Sequence, residues 1–168
     1  MISNRNGFSL IELLIVIAIF AIMVAISAPN MINWIYDAEY RSASRKVLQA
    51  LKEGRSRAIS RNREQRVEFD LSNSDNSYIF KISEGNRASN SSIWIDIAVS
   101  PDSIIPASVA LRGNNGGSCN GIVDIVFGFN PNGSSSTDYI CVMEAKNLAS
   151  RRFRVGIANA ITGRITIE

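Results

Sequence analysis

Polar and apolar positions along the chain change their period twice. From Phe8 to Ala28 there are 21 residues, and only Ser9, Glu12 and Ser27 are polar. An α-helix rises 1.5 Å per residue, so this run spans roughly 31 Å, close to the ~30 Å hydrocarbon thickness of a bilayer. Pro29 follows and would kink or end a helix, but a helical pattern resumes beyond it. Ala43, Val47, Leu51, Ala58 and Ile59, with Leu48 and Ala50 alongside, recur at three- and four-residue steps, and Arg41, Arg45, Lys52, Arg55 and Arg63 fall mostly between them. This predicts an amphipathic helix with one stripe on a core and the other in water, fading around residues 61–64.

The period then drops to two. Val67, Phe69 and Leu71 alternate with Glu68 and Asp70. Strands are predicted there and over residues 78–82, 93–99, 109–111, 122–129, 138–143, 153–157 and 165–167. Turn-rich segments at 84–92, 113–121 and 130–137 separate them. The expected fold class is α+β, a long N-terminal helix packed on an antiparallel β-sheet domain. Four segments are expected: a leader over 1–7, a membrane-compatible helix half over 8–28, an amphipathic half over 29–63 and a β-rich domain over 64–168.

Composition adds three constraints. The 168 residues leave about 140 after the leader and apolar run, enough for one modest domain. Residues 41–66 hold nine Lys or Arg against Glu53 and Glu64, a local +7 in a chain whose total is +3. Such a stripe attracts nucleic acid, anionic lipid or an acidic protein face, or is simply a solvated helix face. Histidine is absent and there are two cysteines, Cys119 and Cys141. In an exported domain these pair most simply, closing a loop worth roughly 3 kcal/mol on the chain-entropy model; two independent buried thiols are the alternative.

The chemistry of an enzyme is missing. Without His the commonest general base is gone, and no GxSxG, HExxH or Walker A pattern occurs. The glycine-rich GNNGGSCNG at 113–121 is followed by no helix start, so it is not expected to cradle phosphate. The oxygen-rich stretch from Asp70 to Asp75 does not fit an EF-hand loop and reads as a polar turn. The expectation is no catalytic residue, no cofactor and no metal.

Glu12 needs a reason. A carboxylate within hydrocarbon costs on the order of 2.5–3.5 kcal/mol on insertion scales. The first seven residues, MISNRNG, carry one positive side chain and end on Gly7. A cut after Gly7 would create an α-amino group on Phe8, and pairing it with a carboxylate offsets the desolvation of both. Made between two subunits, that pair fixes their axial offset, as a buried polar residue fixes register in a coiled coil. Arg5 favours an N-terminus-in orientation, and the basic stretch after residue 41 argues the other way.

GFSLIELLIVIAIFAIMVAISAP resembles the N-terminus of type IV pilins and type II secretion pseudopilins. A glycine cut site, Phe8 as first mature residue, Glu12 as fifth and Pro29 as twenty-second all coincide with that pattern. The resemblance implies that a prepilin peptidase removes the leader and N-methylates Phe8, and that Glu12 recognises the amino terminus of an adjacent subunit. It also implies an inner-membrane anchor with the leader inside and a periplasmic domain, and an inner-membrane assembly platform and other pilins as partners, with lipid around the helix before assembly. The remainder is similar to the GspH/FimT group of minor pilins and pseudopilins, through Phe127-Gly128-Phe129-Asn130-Pro131-Asn132-Gly133 and Thr162-Gly163-Arg164-Ile165-Thr166-Ile167. Such subunits are expected near a filament tip or in its initiation complex. Some relatives bind DNA through a C-terminal G-R-x-R element. Here the second arginine is missing, although Arg151, Arg152, Arg154 and Arg164 leave a basic C-terminal region. A DNA-uptake receptor is therefore the alternative function.

Overall fold

The computed structural model describes residues 9–71, 80–99 and 105–168 of the 168. Gly7, Phe8, the whole SNSDNS turn and the start of the strand expected at Tyr78 lie outside these residues. The side chains of residues 27–30, 149, 151 and 152 are likewise not described, although their backbone is. The chain divides into two compact units, residues 1–37 and 38–168.

A single helix, α1, runs Leu10–Arg61. Ser9 stands just before it, and its carbonyl accepts from the amides of Glu12 at 3.0 Å and Leu13 at 3.2 Å. The helix is continuous through Pro29. A proline interrupts one backbone hydrogen bond, and apolar helices in membranes tolerate that loss. At the other end Asn62 takes a φ of 52°, the left-handed turn that stops a helix.

Among the described residues nine strands follow: β1 Gln65–Phe69, β2 Phe80–Gly85, β3 Trp94–Val99, β4 Val109–Asn115, β5 Ser118–Gly121, β6 Ile125–Phe129, β7 Tyr139–Glu144, β8 Asn147–Asn159 and β9 Arg164–Ile167. The strands form two sheets, ordered β3-β2-β1-β6 and β5-β4-β7-β8-β9, and every pairing of strands is antiparallel, as expected of the β-domain. The glycine-rich segment at 113–121 is a hairpin rather than a loop. Gly116 and Gly117, at φ of 59° and 92°, make a two-residue turn between Asn115 and Ser118. A Gly-Gly pair takes up such positive φ values without Cβ strain, and the turn twist suits a hairpin.

The core of the second unit joins helix to sheets. Tyr40, Ala43, Val47, Ala50, Leu51 and Ala58 supply the helix stripe, with Val67, Phe69, Phe127, Phe129, Ile140, Val142 and Val155 among the strand residues that complete it. Gly54 lies where the helix packs against the side chains of Val67 and Phe129. A Cβ there would fall 2.3 Å from the Val67 side chain, so only glycine fits without displacement. Ile59, expected on the stripe, is instead about half exposed, because it sits at the helix end beside the Gly133 turn. Cys119 on β5 and Cys141 on β7 are joined as a disulfide with 5.7 Å between Cα atoms. It ties the short edge strand β5 to the centre of its sheet.

Candidate functional site

Residues 10–26 and 31–38 are exposed all around α1. Leu10, Phe20 and Trp34 are 76%, 63% and 70% accessible, values foreign to a folded core. One window of this helix reaches a mean hydropathy of 2.9 and is long and apolar enough to cross a membrane. Tyr40 is the first buried residue among those described on α1, and exposed apolar side chains recur from Met31 to Tyr36.

Glu12 occupies the first turn of the helix. Its spacing from Ser9 is that of a capping box, S-x-x-E, in which the glutamate at the third helical position faces orphan backbone donors. The positive end of the helix dipole also favours an anion there. That spacing is readable in Ser9-Leu10-Ile11-Glu12, while the bonds observed at this helix end run from the backbone amides of Glu12 and Leu13 to the Ser9 carbonyl. Gly7 and Phe8 lie outside the described residues, and so does the side chain of Pro29.

The basic stretch after residue 41 is not one continuous free face. Arg57 donates to Glu53 at 2.8 Å one turn back. Arg63 lies 3.9 Å from Glu84. Arg66 stacks on the Trp94 ring at 3.7 Å, a cation–π contact. Arg41, Arg45 and Lys52 are exposed.

Arg55 has the most specific task. Its Nη2 donates to the carbonyl of Thr162 at 3.0 Å and its Nε to that of Gly133 at 3.4 Å. The two turns it grips, at 130–133 and 159–163, overlap the 127–133 and 162–167 segments in which the sequence resemblance was read. Gly133 and Gly163 take φ of 83° and 58°, and a Cβ on Gly163 would fall 2.1 Å from the Gly133 carbonyl oxygen. Asn159 Oδ1 accepts from the amides of Ile161 and Thr162, fixing the second turn. The Gly163-Arg164 element thus closes a contact between both turns and the helix.

The four arginines proposed for nucleic acid do not form a described cluster. Arg154 pairs with Glu168, and its guanidinium lies 4.8 Å from the Tyr139 ring centroid. The hydrogen bond to Glu168 holds Arg154 above its ordinary pKa, and burial opposes this. Arg164 is exposed on β9. Arg151 and Arg152 lie on β8, with side chains outside those described.

A polar cleft of about 500 Å³ is lined by Glu64, Arg66, Asn90, Ser91, Trp94 and Ser136, among others. Glu64 accepts from the amides of Asn90 at 2.9 Å and Ser91 at 2.7 Å. Burial pushes its pKa up, but the bonds from Ser91 and Asn90 and the charge of Arg66 outweigh that and hold it below the usual value. The carboxylate is thus committed to the Asn90 turn. Among the described residues no group of three or more metal-ligating side chains occurs.

Residues 2–28 match the prokaryotic N-terminal methylation motif. The fold is similar to that of the type IV minor pilin FimU of Pseudomonas aeruginosa, at 19% identity and a TM-score of 0.54, over 78% of this chain and 89% of that one. It is also similar to the minor pseudopilin EpsH from the type 2 secretion system of Vibrio cholerae, at 11% identity and a TM-score of 0.52, over 77% and 96%. A sequence comparison with curated proteins gives no match. The chain thus carries a prokaryotic N-terminal methylation motif at the head of a fold similar to those of a minor pilin and a minor pseudopilin.

Proposed function

We propose that this protein is a minor pilin or pseudopilin, a structural subunit that joins a filament through α1. The observation that carries the reading is a methylation motif over residues 2–28 leading into an exposed apolar helix with Glu12 in its first turn. In this reading a prepilin peptidase cuts after Gly7 and methylates Phe8. Before assembly the helix crosses the inner membrane once, with the β-domain in the periplasm. An inner-membrane platform then passes it into a helical bundle near the filament tip or its initiation complex.

Glu12 there meets the Phe8 amino terminus of a neighbouring subunit. Two charges leaving water are each costly, and a paired ammonium and carboxylate offset that cost only in correct register. The experiment is Glu12→Ala in the native cell. Membrane retention should be unchanged while recovery in sheared filaments or tip complexes falls at least tenfold, the order expected from an unpaired charge in hydrocarbon. Normal incorporation would refute the pairing.

The DNA-uptake alternative draws no support from Arg154, which Glu168 and Tyr139 already engage. Phosphate-dominated binding should fall steeply with salt. The purified full chain in detergent is accordingly expected not to shift duplex DNA at low salt, and a salt-sensitive shift would restore that alternative.

A further inference from the structure

The exposed apolar surface of α1 is too long for the bilayer. From Leu10 to Tyr36 the helix extends about 40 Å at 1.5 Å per residue, against a hydrocarbon layer of about 30 Å. Some of it must lie in the boundary layers. The surplus at the end nearer the β-domain in the chain is not uniformly greasy. Met31, Ile32, Trp34, Ile35 and Tyr36 are exposed and interleave with Asn33 and Asp37. Aromatic rings with one polar atom, set among amides and a carboxylate, suit the headgroup level rather than either bulk phase.

Two features favour lipid over a protein groove as the occupant. Trp34 and Tyr36 are two residues apart, hence about 200° apart around the helix, so they flank it on opposite sides. One groove in a partner would not take both, whereas a headgroup layer surrounds the helix. The surface also lies on the same helix as the segment long and apolar enough to span a membrane. Distance supplies the consequence. Trp34 lies 22 positions beyond Glu12, about 33 Å along the axis, nearly the hydrocarbon thickness.

We propose that Trp34 and Tyr36 are an interfacial anchor for the lipid headgroup layer, and that with it engaged Glu12 rests in the opposite headgroup layer. The inference rests on the membrane-anchored reading above. Glu12 is then hydrated in the waiting subunit and enters an apolar setting only on transfer into the filament, where its partner is supplied.

The test uses the full chain in vesicles of phosphatidylethanolamine and phosphatidylglycerol. Trp94→Phe leaves Trp34 as the single tryptophan, and lipids brominated at shallow or deep acyl positions report its depth. The anchor predicts several-fold stronger quenching by the shallow label. Co-flotation with quenching strongest at the deep label, or by aqueous iodide alone, overturns the anchor and leaves the membrane span standing. Failure to co-float overturns the membrane reading itself. A second readout places a cysteine at the far end, Leu10→Cys, with Cys119 and Cys141 kept as their disulfide. A water-soluble maleimide present on both sides should label it, and adding Trp34→Ala with Tyr36→Ala should change the labelling rate several-fold as the helix loses its depth stop. An unchanged rate contradicts the anchor.

Discussion

Residues 10–36 and 40–61 belong to one continuous helix, yet they obey different rules. The first stretch exposes large apolar side chains on every side, while the second buries a stripe from Tyr40 to Ala58 and leaves Arg41, Arg45 and Lys52 in water. A helix apolar all round needs an apolar solvent or other helices, whereas a one-sided helix has its partner in its own chain. The buried side chains of the second stretch hold the β-domain to the helix, and in the proposed reading those of the first carry it into a membrane and then a filament.

Substitutions sharpen the contrast. Leu51→Ala should cost about 2–5 kcal/mol of domain stability, since Leu51 is fully buried. Leu14→Ala, in the exposed stretch, should leave that stability within about 0.5 kcal/mol. Both are read by urea unfolding of the full chain in detergent, followed by the β-sheet circular dichroism signal. Equal losses would show that the two stretches are one cooperative unit. Reducing the Cys119–Cys141 disulfide should cost about 2–4 kcal/mol by the same assay, and its removal by paired Cys→Ala substitution should leave the membrane association of the first stretch intact.

Gly163→Ala is expected to cost about 1–3 kcal/mol, from a left-handed backbone and a collision with the Gly133 carbonyl. Arg55→Lys should weaken the same contact less, since a flexible ammonium reaches one carbonyl in place of two. Hydrogen exchange at residues 130–133 and 159–163 reads this, and protection lost in only one turn would argue against a shared lock. The smallest effect is on pH. The folded-state pKa of Glu64 is depressed, so the unfolded chain binds a proton more readily. Its contribution is fully present above the unfolded carboxyl value and is lost as pH falls through the lower folded value. Glu64→Gln should flatten the acid limb of the stability profile slightly and leave the neutral range alone.

The helix was legible because each stretch carries a strong local signal, a long apolar run in one and a three-to-four step in the other. The capping pattern Ser9-x-x-Glu12 was equally local, though the apolar setting of Glu12 drew attention to its charge. Strands β1, β6 and β7 followed from alternation or apolar runs. The division into two sheets did not, because pairing such as Val67 with Phe127 joins residues far apart in the chain. Strand β5 was hidden by small polar residues that carry no alternation; only the Asn-Gly-Gly turn announced it. Least legible was Arg55. In a basic run it looks like one more solvated cation, but it reaches carbonyls 78 and 107 residues away. Neither charge nor period encodes such contacts.

In the proposed reading the first stretch acts only after Gly7 is cut from Phe8, freeing the nitrogen that Glu12 meets in a neighbour. Intact-mass and N-terminal peptide spectrometry of the chain from its native cell tests this most directly. The account predicts a mature protein beginning at Phe8 with one added methyl group on its amino nitrogen. A chain retaining Met1–Gly7 in the assembled fraction would contradict it.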